Sequence, residues 1–253
     1  MLTRTFCHLK GIGPKSEARL WSRGVLTWDD LERIPAGFFS PRKDALLREQ
    51  TREARTALVG GDLAYFLARV PAANRVRVLP HAAGSIAYVD IETTGLSAFD
   101  RITTIALYDG VTMRTYVRGR DLERFAADIR PYRLLVTYNG NRFDMPLLRQ
   151  EFGDIFGQPH LDLCPVMHAH GFWGGLKNCE RHLGFQRRTP DEMNGAVAVE
   201  LWHRYERTGD RAALDMLLAY NAEDVRALEF LIVAAYNRSM AAWPMFRPLP
   251  APS

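Results

Sequence analysis

Cysteine is scarce in this chain: Cys7, Cys164 and Cys179 are the only three in 253 residues. They are far apart and form no C-x-x-C pair, which excludes a disulfide framework and gives no zinc-ligand spacing. We read them as ordinary buried or half-buried thiols. Also missing is any apolar run of the roughly 18–20 residues that a membrane helix requires, and residues 1–10 lack the apolar core of a secretory signal. A cytoplasmic protein with no membrane partner is therefore expected. No internal repeat is visible.

An apolar fraction of 47% is enough for a packed core, in one ordinary domain plus a smaller one. The net charge of +4 is mild but unevenly spread. Residues 1–80 carry 14 basic against 8 acidic side chains, a net of +6, and the remainder nets −2. A basic amino-terminal segment can attract phosphates, whereas an acidic part acting on a polyanion needs cations to tolerate its approach. Solvated arginines on exposed helix faces would give the same count.

Apolar spacing predicts helices from Met1 to about Ala68, followed by a connector from Pro71 to Gly84. Short β-type runs then appear at 86–91, 102–108, 111–117 and 134–138. Asp109-Gly110 predicts a hairpin with a two-residue turn, because that pair supplies positive φ angles. From Leu176 to Asn237 the pattern is mainly helical, ending in an amphipathic stretch over 211–236. The tail, with Pro244, Pro248, Pro250 and Pro252, cannot continue a helix and is expected to be extended or disordered.

Three segments carry chemistry. In Tyr88-Val-Asp-Ile-Glu-Thr-Thr-Gly-Leu96, Asp90 and Glu92 sit at i and i+2 on an apolar strand and so project from one face. Two such carboxylates must raise a pKa or bind cations, and oxygen-rich sites suit Mg²⁺ or Mn²⁺, unless the strand end simply reaches solvent. In Val136 to Leu148 a strand, a Gly-containing turn and a helix starting near Arg142 place Asp144 in the first helical turn, where the helix dipole alone would favour it. In Tyr220-Asn-Ala-Glu-Asp-Val225, Tyr220 and Asp224 share a helix face. The phenol there could orient a water, or merely pack.

Taken in order, D-I-E-T-T-G, N-G-x-x-F-D and Y-x-x-x-D resemble the three motifs of the DnaQ-like, or DEDD, exonuclease superfamily, with the tyrosine of its DEDDy branch. Within it, Y-N-G-x-x-F-D-x-P, His160-Leu-Asp-Leu163 and Tyr220-Asn-x-Glu-Asp224 look most like the YprB-type domains. The resemblance covers about residues 84–236. It implies an α/β ribonuclease H-like fold, a mixed central sheet flanked by helices, with Asp90, Glu92, Asp144 and Asp224 binding two divalent cations and Tyr220 positioning the attacking water. It also implies substrate contacts at Thr93, Leu96, Asn139 and Phe143, with Asp162 and Lys177 as further candidates near the phosphate. Phe143 could equally pack on the sheet, and Asn139 could serve only the turn.

Residues 1–80 lie outside that resemblance. There Leu9-Lys-Gly-Ile-Gly-Pro-Lys-Ser-Glu-Ala-Arg-Leu20 resembles a helix-hairpin-helix element, whose turn offers backbone N–H groups to a phosphate, with Lys10 and Lys15 adding charge. Glu17 stands where that motif has a small residue, and a helical cap using Gly-Ile-Gly as a plain turn is the alternative. The expectation is thus a basic helical extension (1–80), a ribonuclease H-like domain (84–236) and a Pro-rich tail (237–253). The function expected is 3′–5′ exonuclease action on single-stranded ends, DNA slightly before RNA. A structure-selective endonuclease on the same fold and an inactive nucleic-acid-binding module are the alternatives.

Overall fold

The computed structural model describes residues 1–35, 38–95, 100–189 and 193–252. Its contacts divide into two units: residues 1–83 with 235–250, and residues 84–234 with the last residues of the chain.

The first unit is helical: α1 (Pro14–Ser22), α2 (Trp28–Glu32), α3 (Pro41–Val59) and α4 (Leu63–Arg69), with 3-10 turns at Leu2–Arg4 and Ala72–His81. The starts follow from local chemistry. Proline opens α1 and α3, Thr27 and Asp30 form a reciprocal capping box on α2, and Asp62 caps α4 through the Tyr65 N–H. Trp28 and Phe66 stack at 6.3 Å in the core, with His8 against both. Burial pushes the His8 imidazole down to about 4.

The helix-hairpin-helix reading and the plain-turn reading of residues 9–20 part at the segment before Gly11. Before the Gly11-Ile12-Gly13 turn the only helical residues described are Leu2–Arg4, so the hairpin's first helix does not form. The Phe6 and Cys7 N–H groups donate instead to buried Glu17, at 2.6 and 3.1 Å. Glu17 in turn meets the buried guanidinium of Arg77 at 2.7 Å, and Arg77 donates to the Ser239 carbonyl at 2.6 Å. The carboxylate that departs from the motif is the residue that fastens the turn to its own unit.

The second unit holds β1 (Ile86–Thr93), β2 (Ile102–Tyr108), β3 (Met113–Val117), β4 (Leu134–Thr137) and β5 (His160–Asp162) in one sheet, ordered β3-β2-β1-β4-β5. The first three strands are antiparallel, while β4 and β5 run parallel to β1. The helices are α5 (Phe125–Asp128), α6 (Asp144–Phe152), α7 (Leu163–Ala169), α8 (Leu176–Leu183), α9 (Gly195–Thr208) and α10 (Arg211–Met240). This mixed sheet flanked by helices is a ribonuclease H-like α/β fold. Ala87, Val89 and Ile91 of β1 pack with Phe125, Met145 and Leu148 in one core cluster. The alternate residues Tyr88, Asp90 and Glu92 consequently face the other way.

The hairpin after β2 forms, but its turn differs from expectation. Tyr108 pairs with Met113, and four residues intervene. Gly110 takes the positive φ of 92°, while Asp109 accepts from the Val111 and Thr112 N–H groups, a capping use that needs no left-handed backbone. Beyond Met240 the described tail residues form no helix or strand, yet they are held in place. Helix α10 runs through Met240, Trp243 is buried under the Arg4 guanidinium at 4.3 Å, and the Asn237 amide clamps the Leu249 backbone. Prolines stop the helix without releasing the segment, because an aromatic anchor and two hydrogen bonds hold it.

Candidate metal centre

Antiparallel pairing sets Asp90 opposite Ala106 and Glu92 opposite Thr104, both small neighbours. The register breaks between Glu92 and Thr93, where the strand ends in a bend: the Thr93 hydroxyl donates to the Gly95 carbonyl. From α10 comes Asp224, and single oxygens of Asp90, Glu92 and Asp224 all lie within 4.8 Å of one another. One turn earlier on that helix, buried Asn221 donates to Asp90 at 2.7 Å and accepts from the Thr104 hydroxyl at 3.2 Å. Asn221 thereby ties helix to strand at the point where the carboxylates meet.

Asp144 approaches from the β4–α6 turn. Asn139 is the one non-glycine residue with positive φ (60°) among those described, and its N–H donates to Asp162 at 2.7 Å. Asp162 also accepts from the N–H groups of Asn141 and Cys164, closing the turn from β5. At Gly140 a Cβ would stand 2.0 Å from the Thr137 hydroxyl, so only glycine fits. The result is a tight turn that starts α6 at the buried Asp144.

The electrostatics are those of an anion cluster short of countercharge. Burial first, then the neighbouring carboxylates, hold Asp90 and Glu92 well above the usual carboxylate range. Burial pushes Asp144 up to about 7 and Asp224 up to about 6. Lys177 and Arg187 pull the other way on Glu92 and Asp224. The Arg187 side chain is only 6% exposed and donates to Asp224, besides a fork of 2.6 and 2.5 Å on buried Glu180. Tyr220 lies beneath both cations, 4.9 Å from Lys177 and 5.5 Å from Arg187, and burial raises its phenol so that it stays protonated. Carboxylate oxygens of Asp90, Glu92 and Asp224 within 4.8 Å of one another, with Asp144 adding charge, are the hard oxygen donors that divalent cations take.

The structure thus brings together Asp90, Glu92, Asp144, Asp224, Tyr220 and Lys177, although Asp144 acts through its charge from outside the 4.8 Å set. Phe143 is half-buried against the core cluster, and Asn139 is exposed at the turn. Leu96 lies outside the described residues. Lys10, before α1, and Lys15, in its first turn, belong to the first unit and are exposed. Asn221, Arg187 and Glu180 were not singled out from sequence. Asn221 had a signal, its place beside Tyr220 on the carboxylate helix, whereas Arg187 stands in an irregular segment whose position only the fold reveals.

The chain belongs to the RNase H superfamily: residues 87–236, more than half of it, match that family. Among solved structures it is similar to the family B DNA polymerase from the hyperthermophilic archaeon Pyrobaculum calidifontis, at 19% identity and a TM-score of 0.45. That match covers 62% of this chain and 26% of the polymerase, so the chain spans about a quarter of that protein's length. No curated protein matches the chain. Among the described residues no helix is long and apolar enough to cross a membrane.

Proposed function

We propose that this chain is a metal-dependent 3′–5′ exonuclease of the DnaQ-like DEDDy type, hydrolysing phosphodiester bonds at single-stranded nucleic-acid ends. The observation that carries the reading is the convergence of Asp90, Glu92 and Asp224 within 4.8 Å, with Tyr220 one turn from Asp224 on the same helix. Asp90, Glu92, Asp144 and Asp224 would hold two divalent cations. Those cations supply charge neutralisation at the phosphodiester and a more acidic water. Everything else falls to the chain's own groups. Asn221 fixes the Asp90 carboxylate, Arg187 fixes that of Asp224, and the protonated phenol of Tyr220 can orient a water but cannot deprotonate it. A pure binding module would gain nothing from burying four carboxylates beside phosphates.

The preference for DNA rested on the helix-hairpin-helix resemblance, and without that motif's first helix we propose DNA and RNA alike. The test is degradation of matched single-stranded DNA and RNA, labelled at the 5′ end, with Mn²⁺ or Mg²⁺. A ladder shortening from the 3′ end, absent in Asp90→Ala and Glu92→Ala, is the expected result. Cleavage of a circular single strand would move the reading to an endonuclease, and binding without cleavage to a binding module.

A further inference from the structure

Trp173 is a large apolar side chain left 66% exposed in the second unit, yet it is held in place. Its indole stacks on the His168 ring at 4.6 Å and 22°. Its carbonyl accepts from the Asn178 amide at 2.5 Å, and the neighbouring Gly174 carbonyl accepts from the Tyr138 hydroxyl at 2.8 Å. The loop is therefore fastened on one side to α8 and on the other to the residue just before the Asn139 turn that presents Asp144. A mobile surface tryptophan would need neither anchor.

Basic residues follow Trp173 in the chain, and one of them reaches Tyr220. Trp173 stands four residues before Lys177, whose ammonium covers Tyr220. Asn178, which holds the tryptophan carbonyl, also accepts from Arg181 at 3.3 Å. Lys177, Glu180, Arg181, Phe185, Gln186 and Arg187 line a groove of about 310 Å³, in which the one carboxylate is already neutralised by Arg187. A basic groove on the helix to which an exposed aromatic's loop is tied is a combination that binds single strands: cations follow the phosphates and rings stack on the bases. A protein partner would need a wider apolar patch, and among the described residues of 160–189 Trp173 is the one large apolar side chain left exposed.

We infer that Trp173 is a base-stacking platform for a single-stranded nucleic-acid end, with the Lys177–Arg181 edge of α8 holding the adjoining phosphates. The inference takes its substrate class from the exonuclease reading and adds where the strand lies. Stacking is blind to the sugar, so the platform serves DNA and RNA alike.

The experiment is fluorescence anisotropy of 5′-labelled oligo(dT) and oligo(U) on the full chain, with Ca²⁺ in place of Mn²⁺ to suppress cleavage. Trp173→Ala should weaken binding by about 5- to 100-fold, and Trp173→Phe should restore most of it. A single abasic nucleotide walked along the strand should, at one position, weaken the wild type and leave Trp173→Ala indifferent. Mn²⁺ affinity, read by calorimetry without nucleic acid, should be the same in all three proteins. Equal oligonucleotide affinity in wild type and Trp173→Ala, or an abasic scan without such a position, overturns the platform while leaving the exonuclease reading intact. A wild type that binds neither oligonucleotide overturns both. Sedimentation showing that the substitution breaks a dimer would assign the ring to a protein contact instead.

Discussion

Arg187 donates to Asp224, a carboxylate of the candidate metal centre, and through the same fork to Glu180, a carboxylate outside it. One buried guanidinium thus anchors an Asp224 oxygen to α8 and neutralises a second buried acid. Removing one partner of such a group is far costlier than removing all of it, because an uncompensated charge stays buried. Arg187→Ala should cost about 3–5 kcal/mol in urea unfolding of the metal-free chain. Adding Glu180→Ala should recover a large part of that loss, and strict additivity of the two would show that the fork is not coupled. Mn²⁺ affinity should fall about 10- to 100-fold in both, since Asp224 loses its anchor.

Asp144 gives the pH dependence. Its folded pKa is raised by burial from 3.8 to about 7, so it favours the folded state while protonated. That contribution is complete below the unfolded value and is lost as pH rises through about 7. Asp144→Asn keeps the protonated shape without the proton. The variant's melting temperature relative to wild type, both metal-free, should therefore climb between pH 4 and pH 7 and end several degrees higher. Saturating Mn²⁺ should reverse the order, because the asparagine cannot replace a carboxylate ligand. A flat difference across that range would mean that Asp144 is not buried as described.

The sheet and the carboxylates were legible because both leave short-range traces. Alternation along β1 assigns Asp90 and Glu92 to one face, and the helical spacing of Tyr220 and Asp224 assigns them to another. What sequence hid is what depends on distance along the chain. Arg187 is 37 residues from Asp224 and Asp162 is 23 from Asn139, and neither pair has a periodicity to announce it. Glu17 was visible only as a departure from a motif. Its partner Arg77, 60 residues away, makes it a structural anchor.

The Asn139–Gly140 turn separates two backbone demands. Asn139 needs a left-handed conformation, which glycine meets and β-branched residues resist by about 1–2 kcal/mol. Gly140 needs the absence of a Cβ. Asn139→Gly should stay within about 1 kcal/mol of wild type in urea unfolding, and Asn139→Val should lose more. Gly140→Ala should be the worst of the three and should also weaken Mn²⁺ binding, since the displaced turn carries Asp144. An alanine there as stable as wild type would contradict the packing against Thr137.

Glu17 tests the amino-terminal unit by itself. Were the segment a helix-hairpin-helix, a small residue at this position would improve it. The structure predicts the opposite: Glu17→Ser leaves Arg77 buried without its anion and the Phe6 and Cys7 N–H groups without their acceptor. A loss of about 3–5 kcal/mol is expected in chemical unfolding monitored by tryptophan fluorescence, since Trp21 and Trp28 are buried in this unit. Glu17→Gln, which retains the acceptor but not the charge, should lose less.

Asn221 decides whether the metal centre is held by its ligands alone. Its amide donates to Asp90 and its oxygen accepts from Thr104, so both ends are used in a fully buried setting. Asn221→Asp would keep the size but oppose a carboxylate to Asp90, removing the donor and adding like charge to a cluster already raised by burial and then by mutual repulsion. Asn221→Ala removes the donor without the charge. If the asparagine orients Asp90, Ala should weaken Mn²⁺ binding and slow cleavage by about 10- to 100-fold, as outer partners of metal ligands do. The aspartate variant should be less stable than Ala without metal and should regain more melting temperature on Mn²⁺ addition, because bound cations offset the added charge. Matched Mn²⁺ responses in the two variants would show that Asn221 only packs, and that Asp90 takes its position from β1.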